Sequence, residues 1–182
     1  MAMLELDETL QFKTEWQLIK WNDPDNKIAR LMQAGLPTHI ALKRFKDYII
    51  EISECEGNLA LNEGIEAVLE LLGGISTPTK WDNANARLGV GDSNTAASAT
   101  QTGLQGTNKT FKGMDTGYPQ RSSQTIEWRA TFGSAEGNHS WQEFTVVNAA
   151  DDTGENLNRK VEDKGTKTSG ESWTLSLKIT PS

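Results

Sequence analysis

Ser172-Trp173-Thr174-Leu175-Ser176-Leu177-Lys178-Ile179-Thr180 alternates without a break, with Trp173, Leu175, Leu177 and Ile179 on one side and polar residues on the other. Successive strand side chains point to opposite faces, so a period of two marks an antiparallel strand with one face on a core. Residues 125–132 repeat the pattern. Ile126, Trp128, Ala130 and Phe132 point inward there, and Thr125, Glu127, Arg129 and Thr131 point outward. Further strand text lies at 86–90, 110–114, 141–147 and 157–161, divided by the turn residues of 91–95 and 151–156. Residues 95–108 are small and polar and read as a long surface loop, a candidate contact arm. The fold class that follows is mainly β: an antiparallel, jelly-roll-like β-sandwich with one amphipathic helix and a short helical excursion near the N-terminus.

Upstream of this β region, residues 1–56 read as a strand pair. Phe12, Thr14, Trp16 and Leu18 alternate with Lys13, Glu15, Gln17 and Ile19, and Tyr48, Ile50 and Ile52 alternate again. Between them, about residues 22–47 form the excursion. Asn22-Asp23-Pro24 offers a helix start, Ile28, Leu31 and Met32 recur at helical spacing up to Gly35, and a second helix follows from Thr38 through Phe45. A hairpin bracketing an insertion predicts that the β region folds without the insertion. Residues 57–80 hold a helix and a loop. Leu61, Ile65, Val68, Leu69 and Leu72 make one apolar stripe, opposite Glu63, Glu66 and Glu70, and Gly73-Gly74 ends it. Residues 81–182 are the sandwich, so the whole reads as one composite domain with an N-terminal arm.

The 182 residues carry a net charge of −7, with no basic stripe to neutralise a phosphate backbone, which argues against nucleic acid as a partner. The single cysteine, Cys55, lies between Glu54 and Glu56 and reads as a small buried hydrophobe. Residues 1–8 have neither the basic nor the apolar region of a signal peptide, and no apolar run approaches the length of a membrane span. No membrane contact is expected.

The chemistry-bearing residues do not gather into a motif. His39 and His139 lack metal-ligand spacing, and residues 151–156 lack the order of a calcium loop. Ser134 lies in Gly133-Ser134-Ala135-Glu136, which is not a nucleophile elbow. Glu127, Glu136 and Glu143 read as solvated strand or loop carboxylates. No catalytic residue, cofactor or metal is assigned. Residues 28–45 have the outline of a helix-turn-helix whose phosphate contacts would be Lys43, Arg44 and Lys46. A solvated basic face, or a contact with an acidic neighbouring subunit, suits those residues better. Among the six tryptophans, Trp128 and Trp173 fall on core stripes, while Trp21 and Trp81 are candidates for contact with a neighbour.

Several stretches resemble a family of tailed-bacteriophage virion proteins. They are Gly57-Asn58-Leu59-Ala60-Leu61-Asn62-Glu63-Gly64-Ile65 and Asn83-Ala84-Asn85-Ala86-Arg87-Leu88-Gly89-Val90-Gly91-Asp92-Ser93. Arg129-Ala130-Thr131-Phe132-Gly133-Ser134-Ala135-Glu136, Glu143-Phe144-Thr145-Val146-Val147-Asn148, Leu157-Asn158-Arg159-Lys160-Val161 and Gly165-Thr166-Lys167 belong to the same set. The resemblance runs from about residue 57 to the C-terminus. It implies a non-enzymatic structural protein of the virion, assembled in the host cell cytoplasm. The role it favours is a capsid decoration or cement protein on the major capsid protein, most plausibly a homotrimer. A tail, neck or fibre component is the alternative, as is a carbohydrate-binding attachment module whose exposed tryptophans stack on sugars.

Overall fold

The computed structural model describes residues 12–181. The reading made for residues 1–8 lies outside them. β1 (Phe12–Asn22) leads into α1 (Lys27–Gln33), α2 (Thr38–Arg44) and a 3-10 turn (Lys46–Tyr48). β2 (Ile49–Glu56), β3 (Leu59–Ala60) and α3 (Asn62–Gly73) follow, and then β4 (Arg87–Gly91), β5 (Lys109–Gly113) and β6 (Gln120–Ser122). The chain ends with β7 (Thr125–Phe132), β8 (Glu143–Val147), β9 (Asn158–Val161) and β10 (Glu171–Pro181). Two antiparallel five-stranded sheets result, ordered β2-β1-β10-β7-β6 and β3-β9-β8-β4-β5. This is the β-sandwich that the alternation predicts.

The strands that decided the fold class sit at its centre. β10 lies between β1 and β7, pairing with β1 from Phe12↔Pro181 to Asn22↔Glu171. Trp16, Leu18, Trp128, Phe132, Trp173 and Leu175 of the first sheet pack against Leu88, Val90, Phe144 and Val146 of the second. Trp141 is the hub, with ring centroids 4.7 Å from both Phe132 and Trp173 in edge-to-face geometry.

The excursion is part of the core rather than an insertion beside it. α1 and α2 lie on the outer face of the first sheet, where Ile28, Met32, Ala41 and Phe45 bury Ile19 and Trp21 in a second cluster. The outward stripe of β10 is therefore not solvated: Ser172, Thr174 and Ser176 are all buried. Ser172 Oγ donates upward into the covering layer, to Asp23 Oδ2 at 2.9 Å, and Thr174 Oγ1 accepts Trp21 Nε1 of β1 at 3.1 Å. Arg129, an outward residue of β7, is sealed beneath the same helices. It donates to Asp115 Oδ2 (2.8 Å), Met32 O (2.9 Å), Leu36 O (3.0 Å) and Thr38 Oγ1 (3.0 Å).

Residues 95–108 do form a long connection, but it is fastened down and is no free arm. Glu143 is buried in β8 and accepts Gln105 N (2.9 Å) and Gly106 N (2.6 Å), and Asp92 accepts Thr107 N (2.8 Å) and Asn108 N (3.0 Å). Arg159 Nη1 holds Thr95 O at 2.9 Å, and Leu104 is buried. β3 and β6 are too short for a period of two to be read from them.

Candidate interaction surface

With its six tryptophans all buried, the molecule offers no indole to a partner. Trp21 is fully enclosed between β1 and the excursion, and Trp81 closes the core below α3, its carbonyl accepting Trp128 Nε1 at 2.9 Å. Both fail as the neighbour contacts that the sequence suggested, because each fills a core position that the strand alternation did not mark. A sugar-stacking platform built on tryptophan has no residue to supply it. The exposed aromatic side chains are Phe12 and Tyr48.

Lys43, Arg44 and Lys46 are all exposed on the last turn of α2 and the 3-10 turn, and none pairs with a carboxylate of another described residue. Arg44 lies over the Phe45 ring at 5.2 Å. The two helices do not stand as a helix-turn-helix unit, since Ala41 and Phe45 are buried against the sheet.

The buried charges hold the chain together. Asp115 accepts Arg129 Nε, Thr131 N (2.9 Å) and Thr131 Oγ1 (2.9 Å), joining the β5–β6 connection to β7. Glu143, expected at the surface, has no exposed area and binds Arg159 Nε at 2.7 Å besides the two loop amides. Lys167 Nζ donates to Gly133 O and Asn138 Oδ1, both at 2.8 Å, and burial pushes its pKa down to about 8. Burial likewise raises the Cys55 thiol to about 11, away from reactivity.

The residues weighed as chemical candidates are tied into turns. Asp151 accepts Thr153 N and Oγ1, and Asp152 accepts Lys109 Nζ at 2.9 Å. Glu136 accepts Lys112 Nζ and Gly133 N, and the amide of Ser134 donates to Asn26 Oδ1 at 3.0 Å. His139 Nε2 lies 3.1 Å from Thr110 Oγ1. Among the described residues no group of three or more His, Cys, Asp or Glu side chains converges, and no helix is long and apolar enough to cross a membrane. Two asparagines of the quoted stretches serve corners, Asn83 Nδ2 donating to Tyr118 O (2.6 Å) and Asn148 Nδ2 to Thr79 O (2.6 Å), whereas Asn158 of β9 accepts Val146 N of β8 (3.3 Å).

α3 departs from the reading of its sequence. The side it turns to the sandwich is made of Leu61, Gly64, Ala67 and Leu71, while Ile65, Val68, Leu69 and Leu72 point to solvent. Gly64 explains the choice. A Cβ there would meet Leu157 Cα at 2.5 Å and Asn156 O at 2.6 Å, so the helix beds down on its small residues and leaves the bulky ones outside. Glu63, assigned to the polar face, turns in and accepts Asn156 N at 2.8 Å. Hydropathy alone cannot reveal this, because backbone proximity decided which face is buried.

Compared with protein-family models, with curated proteins and with solved structures, the chain matches none. The likeness to virion proteins thus rests on the quoted residues, and the class that fold and surface define is a β-sandwich with an uncovered apolar helix face.

Proposed function

We propose that the chain is a non-enzymatic structural protein of a phage virion, acting as a capsid decoration or cement protein through repeated contacts with the major capsid protein or neighbouring subunits. The observation that carries the reading is the division of labour among polar groups. The buried charged side chains hold strands and loops, and what faces solvent on α3 and α2 is an apolar strip and a basic group. Surfaces of that kind associate rather than react. The resemblance over residues 57–182 supports a virion, and many identical weak contacts around a shell give avidity without a large single interface.

In this role the protein works as a homo-oligomer, with three copies favoured, and needs no cofactor. A tail, neck or fibre position is the second reading, favoured by the same resemblance. Protein mass spectrometry of purified particles separates them: hundreds of copies per particle fit a cement protein, and tens fit a tail or fibre part.

A further inference from the structure

We propose that the solvent-facing side of α3 is the seam through which three copies of this chain associate, their α3 helices packing parallel around a threefold axis. Ile65, Val68, Leu69 and Leu72 lie on one face of this helix. Ile75 extends the strip: Gly74 adopts φ 61, Ile75 N reaches Glu70 O at 3.1 Å, and Gly73 leaves room for the Ile75 side chain to fold back along the helix end. Leu72 is 82% exposed and Ile75 79%, and the strip as a whole is on the order of 500 Å². That is at the upper end of what a monomer's largest apolar patch reaches, and with its polar margin it is of the order of the roughly 800 Å² per partner that stable association buries.

Spacing, charge and exposure all point to a second copy as the occupant. Spacings of three and four between Ile65, Val68 and Leu72 place them at successive a, d and a positions of one heptad, with Leu69 beside them at e, and Ile75 extends the strip past the helix end. Every residue at the a, d, e and g positions from Gly64 to Leu72 is uncharged. Glu66 falls at b and Glu63 and Glu70 at f, so like helices meet without opposed charges. β-Branched Val68 at d, between Ile65 and Leu72 at a, disfavours the two-stranded arrangement, which takes Leu at d. A cyclic trimer also hides the strip as soon as the chain is made, whereas a docking site for the capsid would stand bare until assembly.

The inference rests on the homo-oligomer part of the proposed function and not on its virion part. Light scattering on the purified full chain should give a trimer, and the Leu69→Glu/Leu72→Glu double variant a monomer with unchanged circular dichroism. In a Cys55→Ser background, Leu72→Cys should cross-link on oxidation and Glu66→Cys should not. A wild-type trimer that survives the double substitution, with no Leu72→Cys cross-link, overturns the α3 seam and leaves the trimer reading standing. A wild-type monomer or dimer overturns both. A monomer whose double variant loses particle binding assigns the strip to the capsid instead, and also overturns the seam.

Discussion

Trp173 joins two loads at one position. It is 1% exposed, meets the Trp141 ring edge-on, and carries the Lys20 ammonium 4.6 Å from its own ring. Truncating it to alanine removes transfer energy and leaves a cavity in a core that cannot close around it, so Trp173→Ala should cost about 3–5 kcal/mol. Denaturant melts of the two proteins check this, and a midpoint shift within error would contradict the strand's place at the centre. Lys167 gives a pH signature at the same scale. Its ammonium titrates near 8 in the fold because burial outweighs the pull of Glu171 and Glu136, against an ordinary value of 10.5. Between those values the unfolded chain holds the proton and the fold has released it, so this group's contribution to stability rises with pH across that window. Wild type should therefore gain on Lys167→Met as melts move from pH 8 to pH 10. A gap that stays flat, or turns against wild type, would show that the amine is not desolvated.

The excursion illustrates how an element can look separable and be structural. Removing about residues 22–47 strips the cover from Ile19 and Trp21 and takes away three acceptors of Arg129, leaving a guanidinium without enough partners. Breaking up a buried ion pair's surroundings in this way costs several kcal/mol. The expected outcome of replacing the excursion with a short Gly-Asn turn is loss of the cooperative thermal transition. A variant that melts like wild type would restore the insertion reading made from sequence. The strands tell the opposite story. β7 and β10 were legible almost to the residue, because their alternation reports one buried face. What the alternation hid was their second face: Thr174 and Arg129 are polar and yet buried, Thr174 bonded by Trp21 of β1 and Arg129 by the Met32 carbonyl of α1. α3 was legible as a helix but not in its orientation, which Gly64 determines through contact with residues more than ninety positions away. Glu143 and Asp92 were equally hidden as fasteners of residues 95–108, because their partners are backbone amides that carry no side-chain signal.

Taken as a whole, the molecule has its mass in a sandwich whose buried charged side chains hold strands and loops, and it presents two candidate contact surfaces, the apolar strip of α3 and the basic group Lys43, Arg44 and Lys46. The basic group predicts a salt-sensitive contact. Reversing Lys43 and Arg44 to glutamate should weaken binding to an acidic neighbouring subunit and leave stability near wild type, because exposed charges contribute little to the fold. Particle-binding assays at low and high salt check this, and unchanged binding would remove these residues from the interface. The central claim, that the chain is a structural part of a virion, is tested most directly by counting its copies in purified, gradient-banded particles by quantitative mass spectrometry against the major capsid protein. The account predicts hundreds of copies per particle, in a fixed ratio to the capsid lattice. Its absence from the particles would contradict the claim outright, and a count of tens would move the protein from the head surface to the tail.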